Sequence, residues 1–250
     1  MAQAVSTRGP VTGTATAGKK RRHKLFLIDL YGTAVGKKYA MALSGIALMG
    51  FVLAHMVGNL KMYLGPEEIN HYGEFLRELL VPLAPRTVVL WAMRLGLVGA
   101  TVLHIHAAYS LTVMNRQARA VKYQSERDYE AANFASRTMR WTGIIVLLFV
   151  LWHLADFTWG WVNPGYIRGD VYRNVDASLS RVPVAALYVI ANIALGVHLY
   201  HGAWSLFQSM GWNRPRFNSW RRGFAIAFAT MIVVGNVSFP IAVLAGIVES

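Results

Sequence analysis

The chain has 250 residues, 55% of them hydrophobic and 15% charged, with a mean hydropathy of +0.36 and no cysteine. Soluble domains carry about a quarter charged residues, so a largely membrane-embedded chain is expected. It makes no disulfide and supplies no thiolate to a metal cluster. The net charge of +13 would suggest nucleic acid on a soluble protein, and its distribution has to decide whether that reading survives.

Residues 1–24 are Ala-, Thr-, Gly- and Ser-rich and end in the basic run "KKRRHK" at 19–24, and they read as a disordered tail. "LFLIDLYG" is too short for the core of a signal peptide and contains Asp29, so it reads as a segment lying at the interface. From about residue 25 to 250 a single membrane domain is expected, an all-α bundle of five transmembrane helices with no internal repeat. The spans are predicted at about 39–63, 88–114, 141–162, 184–210 and 222–247. Each is long enough for the roughly 20 residues a bilayer crossing needs, and none could be a lipid-exposed loop with unpaired backbone groups. Between the first two spans, Ile69, Tyr72, Phe75, Leu76, Leu79 and Leu80 recur at helical spacing, which predicts an amphipathic external helix over about 67–81. His71 in that helix reads as a solvated surface residue.

Five spans put the termini on opposite sides. Eighteen Lys and Arg fall in the N-terminal tail and the 115–140 and 211–222 connections, against six on the other side, with Arg94 inside a span. By the positive-inside rule the N-terminus is cytoplasmic and the C-terminus external, in a multi-pass protein of the cytoplasmic membrane. The charge is thereby accounted for without nucleic acid.

Six of the eight histidines fall within predicted spans: His55, His104, His106, His153, His198 and His201. Ionisable groups inside a membrane are costly and mark functional sites. With 1.5 Å of rise per residue, His55 lies roughly 24 Å and His153 roughly 18 Å from the inner end of their spans. His104 and His198, on spans running the other way, lie roughly 15 Å and 18 Å from theirs. His55 and His153 therefore sort toward the outside, His104 and His198 toward the inside. Facing imidazoles across a bundle suit a b-type haem, whose iron takes two axial ligands and then moves electrons instead of binding oxygen. Gly45, Gly96, Gly99 and Gly196 would let a flat ring approach, although glycines equally serve helix packing. His106 points about 200° away from His104 around the helix, while His201 lies on nearly the same face as His198 and is its alternate.

The motifs "HMVGNLKMY" at 55–63, "LHIHAAYSLTVMNRQARAVKY" at 103–123, "SRTMRWTGIIVLLFVLWHLADF" at 136–157 and "HLYHGAWSLFQSMGW" at 198–212 resemble the cytochrome b membrane-anchor subunit of succinate:quinone oxidoreductase, of the five-helix, two-haem type. By motif, the resemblance makes His55, His104, His153 and His198 the axial ligands, in the pairs His55/His153 and His104/His198, with His106 and His201 as alternates. It implies haem b as cofactor, and flavoprotein and iron–sulfur subunits as partners. Electrons from succinate would pass to membrane quinone, expected to be menaquinone. This chain would hold no succinate or flavin site and no catalytic residue of its own. The soluble subunits would dock on the basic inner face formed by Lys19 to Lys24, Arg116, Arg119, Arg214, Arg216, Arg221 and Arg222, cations that also serve lipid contact and topology. Ser44 and His106 are candidates for a quinone-site donor, and Ser44 has the alternative of bonding back to its own helix. Trp and Tyr near span ends are interfacial anchors. Competing readings are a structural quinone-site anchor without haem, a different histidine-ligated centre such as an iron–sulfur cluster completed by partner cysteines, and a histidine-lined transporter. The last is disfavoured by the lack of intramembrane carboxylates other than Asp156.

Overall fold

The computed structural model describes residues 26–118, 134–212 and 214–249. The predicted tail, the basic run at 19–24 and Arg119 lie outside the described residues. Those described form α1 (Phe26–Gly32), α2 (Ala34–Asn59), α3 (Pro66–Arg77), α4 (Val88–Gln117), α5 (Phe134–Phe157), α6 (Val171–Leu179), α7 (Val182–Ser209) and α8 (Asn218–Leu244), with no strand. Five of these helices are long and apolar enough to cross a membrane: α2, α4, α5, α7 and α8. The chain is a multi-pass membrane protein.

The interfacial segment is the short helix α1, and its junction with α2 is built by three residues. Thr33 caps α2, its Oγ1 accepting from the Gly36 amide at 2.9 Å. Lys37 Nζ donates to the carbonyls of Tyr31 (2.9 Å) and Gly32 (3.2 Å), satisfying the open end of α1. A Cβ on Gly36 would sit 1.9 Å from the Leu30 carbonyl oxygen, so α2 can fold back on α1 only with glycine there.

Two predicted boundaries shift, each for a local reason. The external amphipathic helix ends at Arg77, short of residue 81, where Glu78 closes the last turn onto Glu74 and Phe75 and Leu80 takes a φ of 63°. The third span ends at Phe157, short of 162, although Trp159 and Trp161 keep the stretch apolar. Gly160 takes a φ of 70° with the Tyr166 ring lying across it, and the amides of Trp159 and Trp161 turn back to Leu154 and Ala155. Helix α6, in the following connection, was not anticipated. Asp170 caps it by accepting from the Arg173 amide at 3.1 Å, and the side-chain Oδ1 of Asn70 on α3 accepts from the Val171 amide at 2.7 Å. Thus α3 and α6 dock together at one end of the bundle.

In the membrane, α2 packs closely with α4, and α5 with α7, while α8 lies along α7. The two pairs touch each other much less than their members touch within a pair. Small residues set the closest contacts: a Cβ on Gly196 would come 2.3 Å from Val233 Cγ2, and one on Gly235 would come 2.5 Å from Met56 Sδ. Gly196 therefore serves the α7–α8 contact. Below α3 and α6, Met62, Ile69, Tyr172, Leu179, Tyr188 and Val243 form the largest buried apolar cluster.

The two helix pairs are also related in sequence, contrary to the expectation of no repeat. Ser44–Gly45–Ile46 precedes His55 at the same interval at which Thr142–Gly143–Ile144 precedes His153, with Phe51, Val52 and Leu53 in register with Phe149, Val150 and Leu151. The correspondence extends to contacts. Ser44 Oγ lies 3.2 Å from His104 Nδ1, and Thr142 Oγ1 lies 3.4 Å from His198 Nδ1. Each half is thus an outgoing helix that carries one histidine near its end and steadies a second histidine on the returning helix.

Candidate functional site

Two histidine pairs bridge the sparse contact between the halves. The rings of His55 on α2 and His153 on α5 have centroids 5.7 Å apart and planes at 73°. Those of His104 on α4 and His198 on α7 are 6.5 Å apart at 64°. The interval from Ser44, at the level of His104, to His55 is about 16 Å along α2, and the interval from Thr142 to His153 is the same along α5. The pairs thus stand at two levels separated by roughly half of the ~30 Å hydrocarbon thickness.

All four Nδ1 atoms have a neighbour. His104 Nδ1 lies 3.2 Å from both the Met41 carbonyl and Ser44 Oγ. His198 Nδ1 meets Thr142 Oγ1, His55 Nδ1 meets the Asn59 side-chain amide at 3.1 Å, and His153 Nδ1 meets the Tyr188 hydroxyl at 3.5 Å. At His104 the Met41 carbonyl is an acceptor, so Nδ1 carries the proton and Nε2 is the unprotonated nitrogen; at His55 the Asn59 amide nitrogen is a donor, so Nδ1 accepts. Gly45 and Gly143 seat the rings of one pair: a Cβ at either would stand 3.4 Å from His104 Cε1 or 3.3 Å from His198 Cε1.

The family model for the succinate dehydrogenase/fumarate reductase transmembrane subunit matches residues 114–237, which include His153 and His198. The chain belongs to this family. No curated protein and no solved structure matches it. As such a subunit it is part of an oxidoreductase complex of electron transport, acting as its membrane anchor in association with other subunits. Membrane anchors of this family bind haem b.

The residues present fit that group. Metal–imidazole bonds of about 2.0–2.1 Å, plus the radius of each ring, put the centroids of two imidazoles on opposite sides of one metal roughly 6 Å apart. The observed 5.7 Å and 6.5 Å bracket this value. Among the described residues no group of three or more His, Cys, Asp or Glu could hold a metal ion.

The other candidates are placed differently. His106 is exposed and stacked on Tyr31 of α1, its Nδ1 2.5 Å from the Tyr31 hydroxyl. His201 is half-buried and makes no hydrogen bond to another described residue. Ser44 is buried, and its hydroxyl donates back to Ala40 O at 2.7 Å and Met41 O at 3.1 Å while touching His104. It therefore steadies a histidine. Gly96 and Gly99 have nothing within 4 Å of a Cβ position. Arg221 does not belong with the exposed docking cations: it is 2% exposed, donates to the Trp212 carbonyl at 2.9 Å and to Asn218, and lies over the Trp204 ring.

Sequence reasoning undervalued Asp156, seen only as an acid close to a span end. It is fully buried one turn beyond His153, held by Ser178, Tyr188 and Arg181. The available signal was its spacing from His153 on one helix, three residues apart and so on the same face.

Proposed function

We propose that this subunit carries electrons from an iron–sulfur partner to membrane quinone through two centres, one held by His104 and His198 and the other by His55 and His153. The N-terminal end is cytoplasmic in this reading. The soluble subunits dock there, where the exposed Lys38, Arg116, Arg214, Arg216 and Arg222 gather on one side of the span pattern. The quinone is taken to be menaquinone.

The observation that carries the reading is the pair of imidazole pairs, each spaced for one metal and each spanning the contact between two helix hairpins. Haem b supplies, when bound, an iron that exchanges one electron. The chain's own residues do the rest. The four histidines hold the two sites at fixed levels. Ser44, Thr142 and the Met41 carbonyl fix the ring orientation of the His104/His198 pair, and Gly45 and Gly143 admit its rings against the neighbouring helices. Apolar walls exclude water and lower the local dielectric, one of the levers on a haem potential.

A reduced-minus-oxidised visible spectrum of the purified complex, with a pyridine haemochrome count, tests this. The expected result is sharp low-spin bands and two haems per copy of this chain. A complex that assembles and reduces quinone without such bands would shift the assignment to a haem-free anchor, and a cluster-type spectrum would shift it to partner-supplied thiolates.

A further inference from the structure

Asp156 is 0% exposed in the last turn of α5. A carboxylate so placed in a membrane protein needs partners, because an isolated buried charge is strongly unfavourable. Its Oδ2 accepts from the Ser178 hydroxyl at 2.6 Å and from the Tyr188 hydroxyl at 2.8 Å. Its Oδ1 lies 3.5 Å from the Arg181 guanidinium. Arg181 is itself fixed, donating to Ser178 Oγ at 3.1 Å, to the Ser178 carbonyl at 3.2 Å and to the Val162 carbonyl at 2.8 Å. The cluster therefore ties together the end of α5, helix α6 and the start of α7.

The direction of the hydrogen bonds matters more than their number. Tyr188 has one hydroxyl proton and gives it to Asp156. Toward His153 Nδ1, 3.5 Å away, it can offer only a lone pair, so the proton on that contact belongs to the imidazole. Nε2 of His153 is then left unprotonated toward His55. The other three histidines lean on neutral groups: the Asn59 amide, the Met41 carbonyl with Ser44, and Thr142. Among the described residues, only His153 of the four stands one hydroxyl away from a carboxylate.

We propose that Tyr188 is a positioning residue for His153, oriented by the buried Asp156–Ser178–Arg181 cluster, and that it sets the tautomer and the donor strength of that imidazole toward the metal. The inference rests on the haem-bearing reading above. An acceptor on the far nitrogen raises the basicity of a ligating imidazole, which favours the oxidised metal and lowers the potential of that centre.

Tyr188→Phe removes the hydroxyl and keeps the ring that packs on Phe149 at 5.0 Å and Phe157 at 5.6 Å. In the purified whole complex the haem count should stay at two. One component should become easier to reduce, its reduced-to-oxidised ratio at a fixed poise rising by about tenfold, which is 59 mV for one electron. The low-spin electron paramagnetic resonance signal of the same component should move, and the other component should keep both values. The component that moves must be the one lost in His55→Ala. Asp156→Asn, which weakens the acceptor for the Tyr188 proton, should move the same component in the same direction. The inference is overturned if both haems keep their potentials and signals in Tyr188→Phe, or if the shifted component is the one lost in His104→Ala. A wild-type complex without haem would instead remove the reading on which the inference rests, and the two failures are told apart by the first spectrum.

Discussion

His104→Ala and His198→Ala should each remove one haem, and the same one, while leaving the other in place. Each substitution deletes one imidazole from a pair whose centroids stand 6.5 Å apart, leaving a single imidazole at that level. The surviving pair lies about 16 Å away along α2 and α5. The two sites share no hydrogen-bond partner among the described residues, so packing effects should couple them by no more than about 0.3–0.5 kcal/mol. Charge reaches further. A unit charge lost 16 Å away, at an effective dielectric of about 20, changes the surviving centre by about 1 kcal/mol, or roughly 45 mV for one electron. The prediction is therefore a haem count falling from two to one, with the remaining midpoint displaced by no more than that amount. Pyridine haemochrome counting and a redox titration of each variant would measure both. A lost haem also forfeits its ligand-binding stabilisation, about 2.7 kcal/mol at a hundredfold excess over Kd. Assembly of the complex is therefore checked first, by size exclusion. If His104→Ala and His198→Ala delete different redox components, or if His104→Ala and His55→Ala delete the same one, the pairing is wrong and the electron path through it falls.

Gly196→Ala should destabilise the bundle by about 1–3 kcal/mol, because its Cβ would arrive 2.3 Å from Val233 Cγ2 at the α7–α8 contact; thermal melts should show the loss and its partial recovery in Gly196→Ala/Val233→Ala, and an unchanged melt would remove the contact from the account. The Glu74 carboxyl is held below its ordinary value of 4.5 by the hydrogen bond from Arg86 and by the charge and hydrogen bond of Arg77. Its contribution to the α3 region is therefore present above pH ~4.5 and lost as pH falls through the lowered value. Amide exchange across 66–88 should speed up in that acid window, and Arg86→Gln should move the window upward; no movement would mean that the ion pairs do not act together. A reporter that works only in the cytoplasm, fused after Ser250, should be silent, and an active fusion would contradict the orientation drawn from eighteen Lys and Arg against six.

Hydropathy located the five spans because a bilayer demands long apolar helices and leaves few alternatives. It could not place their ends where a single backbone conformation decides. Gly160 halts α5 inside an aromatic stretch that hydropathy alone would have continued, and Leu80 does the same to α3. Helix α6 was invisible for another reason. Its nine residues, "VYRNVDASL", set Val171, Tyr172, Val175 and Leu179 on one face, but the stretch is short and lies between polar segments, and the helix is held by Asp170 at its start and by Asn70 from a distant part of the chain. The repeat was hidden by its background. In helices this rich in apolar residues, matches at Phe51/Phe149 and Leu53/Leu151 look like composition until Ser44 and Thr142 are seen against equivalent histidines.

That arrangement explains why some of the site could be read from sequence and some could not. Depth follows from helix rise, so two levels of histidine emerge from counting residues. Ring orientation does not, because it depends on which hydroxyl or carbonyl a neighbouring helix brings to Nδ1. The halves agree on this at the His104/His198 level, where Ser44 and Thr142 play the same part, and the similarity of the two steadying groups follows from the similarity of the two hairpins. At the other level they diverge. His55 ends a helix that continues into the turn Leu60–Leu64, and its Nδ1 meets the Asn59 side chain. His153 ends a helix that is capped by a buried carboxylate and a chain of donors drawn from α6 and α7. The duplicated frame therefore sets where the four imidazoles stand, while the unduplicated connections set how the two at the α3/α6 end differ. If the two centres have different potentials, the structural origin of that difference is to be sought in Asp156 and Tyr188, on the side of the pair that the repeat does not share.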